Sequence, residues 1–161
     1  MANDEARTLL RHTLATVAYR GRKAVADAPD GFADFRLSPE SRSAGRILAH
    51  IGDLFDWALS IVEGQQRWQD STPLPWNEEM ARMFEALKRL DDRLASADPP
   101  GCSAEALFQG PIADSLTHIG QIAMLRRLAG APVRAENYFK ADIVAGRIGP
   151  DQTRPKMEFD K

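Results

Sequence analysis

Asp114-Ser-Leu-Thr-His118-Ile-Gly-Gln121 sets polar side chains at helical spacing. Positions 114, 117, 118 and 121 are neighbours at i, i+3, i+4 and i+7, so Asp114, Thr117, His118 and Gln121 share one side of a helix. That side runs on into Met124, Leu125 and Leu128. Burying an acid, an imidazole, a hydroxyl and an amide beside such residues is costly unless they find partners or a ligand. The stretch therefore predicts a helix that turns a polar stripe inward and lines a pocket with it. An Asp and a His four residues apart can also hold one cation, with an oxygen and a nitrogen electron pair.

Working outward, periodicity predicts four helices and almost no strand. The first runs from about Asp4 to Asp27, capped by Asn3 or Asp4, with Ala6, Leu9, Leu10, Thr13 and Val17 at helical spacing. Ser38-Pro-Glu40 reads as the start of the second, whose apolar face is Ile47, Leu48, Ile51, Phe55, Ala58 and Val62, up to Gly64. Residues 65 to 76 form a loop containing Pro73 and Pro75, after which Asn77 caps a third helix with Glu78 and Glu79 in its first turn. Its face is Met80, Met83, Phe84, Leu87 and Leu94. A short helical turn over Ser103 to Phe108 precedes Gly110-Pro111, which opens the fourth helix. That helix stops at Gly130-Ala-Pro132, with Arg126 and Arg127 near its negative end.

Amphipathic helices of this length without strands argue for an all-α four-helix bundle. The reading is of one domain over residues 1–161, with a bundle at about 4–130 and a C-terminal tail, 131–161, packed on it. Tyr138, Phe139, Ile143 and Ile148 make that tail too apolar to hang free. It docks on the bundle, and it could also cap the pocket mouth.

With 161 residues, 43% hydrophobic and 27% charged, the chain suits a globular protein with a sizeable core. A net charge of −2 gives no electrostatic footprint for nucleic acid, and no apolar run is long enough for a membrane span. The lack of a charged-then-apolar leader places the chain in the cytoplasm. The single Cys102 excludes an intrachain disulfide and agrees with a reducing compartment; nothing near it marks a nucleophile.

In Arg46-Ile-Leu-Ala-His50-Ile-Gly-Asp53-Leu-Phe-Asp-Trp57, His50 lies in mid-helix, flanked at helical spacing by Ile47, Leu54 and Trp57. A lone histidine in that setting is more often a satisfied core residue than a ligand. Beside an inward Asp114/His118 face the two readings draw level, because bundle cores build metal sites from facing helices. Asp53, one turn on, is more simply a solvated or helix-pairing carboxylate than a partner of the site. His12, among Thr8, Thr16 and Tyr19, reads as surface.

Ile47-Leu-Ala-His50 together with Asp114-Ser-Leu-Thr-His118-Ile-Gly-Gln121 resembles the DinB/YfiT-like family of metal-binding four-helix bundles. There, one histidine on the second helix and two positions four apart on the last form a metal triad, the last helix often reading His-x-x-x-His-x-Gly-Gln. The resemblance covers residues 4 to 130, and Glu136-Asn-Tyr-Phe139-Lys-Ala-Asp142-Ile is similar to segments that follow the bundle in some members. It implies His50, Asp114 and His118 as ligands, with Asp114 where the family usually has His. An aspartate oxygen can still ligate Zn²⁺ or Ni²⁺.

Three protein ligands leave coordination positions open, the arrangement of catalytic rather than closed structural zinc. A divalent metal there can lower the pKa of water or a thiol. The resemblance implies the thiol use, since some members join low-molecular-weight thiols to electrophiles. The expected function is a metal-dependent thiol-S-transferase acting on a small electrophile, with the thiol as co-substrate. Thr117 and Gln121 would orient ligands or substrate, and Tyr138 and Phe139 would shape the electrophile pocket. The resemblance also implies a homodimer. Two alternatives stay open: a metal-dependent hydrolase, and a non-catalytic binding or dimerisation module whose pocket is a hydrogen-bonded polar core.

Overall fold

Leu10, Leu14, Val17, Ala18, Ala24 and Val25 recur at helical spacing and are all buried, so the first segment winds into a helix with one apolar face. In the computed structural model, which describes residues 2–159, this is α1 (Ala2–Val25). Three other long helices follow, α2 (Ala44–Val62), α3 (Trp76–Ala95) and α5 (Ala113–Leu128). The one-turn α4 (Ala104–Leu107), capped by the Ser103 hydroxyl, leads through a wide turn at 108–112 into α5. Gly110, with φ −88° and ψ −106°, makes the kink there, next to Pro111. Among the described residues no strand is present beyond one isolated bridge, Glu136–Glu158, and no helix is long and apolar enough to cross a membrane.

Several boundaries differ from the sequence reading. The helix α1 already includes Ala2, so Asp4 stands in its first turn rather than capping it; the side chain of Asn3 lies outside the described residues. Leu9, expected on the core face, is 67% exposed, because the face is centred on Leu10, Leu14 and Val17. The second helix begins six residues after Ser38: Ser43 is the cap, its hydroxyl accepting the Arg46 N–H, and the Ser41 hydroxyl instead ties the 38–41 turn. The third helix starts at Trp76, with Pro75 rather than Asn77 at its cap position.

Each long helix has two main neighbours, α1 and α2 both packing between α3 and α5. Arg7 donates to the Leu94 carbonyl and Gly21 lies by Met83, so α1 and α3 are antiparallel. Arg82 reaches Ala49 and Asp53 while Arg89 reaches Asp56, so α2 and α3 are parallel. His50 faces Asp114 and Ile47 shares a groove with Leu125, which makes α5 antiparallel to α2. The resulting order is up, down, down, up.

Two consecutive parallel helices require a connection that travels back along the first. Residues 63–75 do this. At about 3.3 Å per extended residue, such a segment covers the roughly 28 Å of α2 with slack. It is pinned at intervals: the Arg67 N–H donates to the Ser60 hydroxyl, the Ser71 N–H to Asp53 and the Leu74 N–H to Glu79. Arg82 completes the seam, donating to Glu79, Asp53, Asp56 and the Ala49 carbonyl. Asp53 thus pairs helices and anchors the crossover, with both oxygens engaged.

The tail docks on the α1 side of the bundle. Glu136, buried, accepts from the Tyr19 hydroxyl at 2.6 Å and from Lys23 at 2.7 Å, and Lys23 also pairs with Glu158. Ile148 is buried with the core. Arg126, expected to serve the end of its own helix, donates to the carbonyls of Ala24, Ala26 and Asp27, and so closes the C-terminus of α1; it also holds Ala131.

Candidate metal centre between the second and fifth helices

The buried face of α5 is Ser115, His118, Ile119, Ile122, Leu125 and Arg126. The expected inward polar stripe is therefore rotated. His118 is buried, but Thr117 and Gln121 are exposed, and Met124 and Leu128 are 55% and 52% exposed. The reason lies in the arc that Ile119, Ile122 and Leu125 define, which presses against α1 and α2 and leaves 117, 121, 124 and 128 at the rim. Thr117 donates to the Ala113 carbonyl of its own helix. Gln121 lines a groove of about 430 Å³ beside His118, with Leu37, Ile47, Met124 and Leu125 among the other walls.

His50, on α2, comes within reach of this helix. Its Nε2 lies 3.8 Å from Asp114 Oδ2, and His118 Nδ1 lies 3.3 Å from Asp114 Oδ1. The two imidazole rings are 4.7 Å apart between centroids. One donor atom from each of His50, Asp114 and His118 falls within 4.8 Å of the others. Donors about 2.1 Å from one ion at octahedral or tetrahedral angles stand roughly 3.0–3.4 Å apart, so the side chains must draw in from the 4.8 Å span to close on one ion. The Asp114 side chain is 47% exposed, which leaves one flank of the cluster open to solvent.

Two further features suit the cluster to a cation. The Nδ1 of His118 lies 2.9 Å from the Asp114 carbonyl oxygen, which can only accept; Nδ1 therefore carries the proton and Nε2 the electron pair. The His50 pKa is lowered from its ordinary value, chiefly by burial, then by the charges of His118 and Arg42, against weaker opposing pulls from Asp114 and Asp53. A neutral imidazole is the form that ligates.

Residues around His50 that the helical periodicity left unread come from the crossover. Trp68 packs edge-on against His50 at 5.4 Å and against Trp57 at 5.7 Å. Asp70 and Asp53 also approach His50, but the oxygens of Asp53 are held by Arg82 and Ser71. An irregular segment has no periodicity, so nothing local placed Trp68 or Asp70. Arg42 and Arg46 precede His50 at four-residue intervals, a spacing that was legible.

Tyr138 is not brought to this cluster. It packs edge-on to Tyr19 with the Arg20 guanidinium 4.0 Å above its ring, and lines a hollow with Leu116, Ile119, Gly120 and Ala123, another side of α5. Phe139 is 97% exposed. The tail is thus a brace on α1 and α5, and Tyr138 and Phe139 do not shape the His50–His118 groove. Cys102 is half-buried and its pKa is raised by that burial, which disfavours thiolate. His12 is exposed. Comparison with models of protein families, with curated proteins and with solved structures gives no match for this chain.

Proposed function

We propose that this chain is a DinB-like divalent-metal-binding protein, with His50, Asp114 and His118 as ligands, and that it joins a low-molecular-weight thiol to a small electrophile. The observation carrying this reading is the approach of three donor atoms from α2 and α5 to within 4.8 Å of one another, although 64 residues separate His50 from Asp114 in sequence. A bound Zn²⁺ or Ni²⁺ would supply Lewis acidity, lowering the pKa of a thiol toward neutrality. The chain's own residues do the rest. The Asp114 carbonyl fixes the tautomer of His118, burial and the charges of His118 and Arg42 favour the neutral form of His50, and the open flank at Asp114 admits small molecules. The groove beside His118, with Leu37, Ile47 and Met124, offers an apolar seat for the electrophile, and Gln121 a polar contact at its edge. The reading takes the protein to act as a homodimer in the cytoplasm.

Elemental analysis of protein purified without a histidine tag tests the first half: about one zinc or nickel per chain is expected. The second half is tested by conjugation of a small thiol to a halogenated aromatic or an epoxide, which should be metal-dependent and lost in the triad variants. Activity on esters or amides in place of thiol transfer would make it a metal-dependent hydrolase. Inertness in every assay, with no metal bound, would leave a binding or dimerisation module.

A further inference from the structure

Two arginines flank the cluster without internal work to do. Arg42 and Arg46 are exposed, and among the described residues neither side chain has a hydrogen-bond or ion-pair partner. Among the other arginines that line a hollow here, Arg126 is committed to backbone carbonyls, Arg20 to the Tyr138 ring and Arg134 to Glu158. Arg42 and Arg46 instead share a hollow of about 310 Å³ whose walls include His50 and Ser71. Of the two acids that line it, Asp53 is already neutralised by Arg82 and the Ser71 N–H, which leaves Asp70 against two guanidinium groups. Within this hollow the two cations therefore outnumber the one free acid, and Asp114 stands outside it on the other flank of His50.

Arg42 also lines the neighbouring groove, the one walled by Leu37, Ile47, His118, Met124 and Leu125. It stands where the two hollows meet, one bounded by His50 and the other by His118. Leu37 and Met124 are 66% and 55% exposed on that second groove, an apolar strip opening beside a pair of free cations. A planar guanidinium matches a carboxylate in a two-point contact, whereas an apolar body gains by covering Leu37 and Met124.

We infer that the site takes an amphipathic organic acid, its carboxylate held between Arg42 and Arg46 and its apolar body lying along the Leu37–Met124 groove. This rests on the reading of His50, Asp114 and His118 as the functional centre, and it names the class of substrate presented there. A carboxylate so held places the adjoining carbons beside the triad.

Octanoate and 1-octanol, matched in chain and differing in charge, are the probes. Binding of each is measured by calorimetry to the full chain, to Arg42→Gln/Arg46→Gln and to Met124→Glu, once with EDTA and once with Zn²⁺. The expected result is octanoate binding in EDTA that exceeds octanol binding and falls roughly tenfold or more in the double arginine variant, with octanol unaffected by that change. Met124→Glu should weaken both probes. Because both arginines are exposed and unpartnered, the double variant should keep its circular dichroism. The inference fails if octanoate does not bind, if octanol binds equally well, or if the arginine variant binds octanoate like the wild type. It also fails if octanoate binds only with Zn²⁺ and regardless of the arginines, since the metal is then the anchor. Arginine-dependent binding in a protein that takes up no zinc would keep the anion site and remove the metal reading.

Discussion

The backbone carbonyl of Asp114 accepts a hydrogen bond from Nδ1 of His118, 2.9 Å away and one turn along the same helix. One residue thereby contributes twice, its carboxylate as a candidate donor and its carbonyl as the group that orients the neighbouring imidazole. His118→Ala and His50→Ala should each abolish stoichiometric metal while keeping most of the helical circular dichroism, because the apolar faces of α2 and α5 do not depend on these side chains. Asp114→His should retain metal and favour softer ions. Elemental analysis of the three variants decides the matter, and metal persisting in both histidine variants would place the site elsewhere.

Acidification should weaken the site and the fold together. His50 binds its proton at a lower pH in the folded protein than the ordinary 6.5 of the unfolded chain. Below about 6.5 the unfolded state therefore holds more protons, and stability rises with pH through that window. The contribution of His50 is fully present above 6.5 and is lost as the pH falls through its folded value. In metal-free protein, NMR titration of the His50 ring should give a midpoint under 6.5; a midpoint above it would mean that Asp114 outweighs burial. Metal affinity should also drop on acidification, since protons compete for the same nitrogens.

Gly52 on α2 lies under the Arg82 side chain that crosses from α3. A Cβ added there would lie 2.7 Å from Nη2 of Arg82, which is held by the Ala49 carbonyl and by Asp53. Alanine normally improves a helix interior by up to about 1 kcal/mol over glycine. Here Gly52→Ala should destabilise by about 1–2 kcal/mol, because the guanidinium must leave acids that are buried with it. Chemical denaturation measures the difference, and a more stable variant would show that Arg82 moves aside freely.

The tail is predicted to be a structural brace whose loss spares the metal centre. Tyr19→Phe removes the hydroxyl that donates to Glu136 Oε1, on a carboxylate with no exposed side-chain surface. The cost should be about 1–3 kcal/mol, with faster proteolysis of residues 131–159 and unchanged metal content. Metal lost in this variant would tie the tail to the site after all.

Much of this molecule follows from local pattern. The periodic apolar residues of Ile47 to Val62 and Met83 to Leu94, the breaks at Gly64, Gly110-Pro111 and Gly130, and the i, i+4 spacing of Asp114 and His118 fix four helices and bring two polar groups to one side of the last. Hydrogen bonding within a helix is local, so spacing in sequence is spacing in space. Which way a helix rolls is a different matter. Thr117 and Gln121 went to the rim and Leu9 to solvent because the orientation of each helix is set by the summed burial of its neighbours' side chains, which no single stretch encodes.

The sequence alone determined an all-helical chain and named His50, Asp114 and His118 as the residues to compare. Tertiary structure decided everything that depends on contacts between distant segments: that His50 meets the α5 pair, that the 63–75 crossover lays Trp68 and Asp70 along α2, and that Tyr138 braces α1 instead of the groove. Those contacts depend on helix order and direction, which arise when the apolar faces are buried together. A parallel α2–α3 pair forces the long return of the crossover, and the charges that line it are placed by that return rather than by any periodicity of their own.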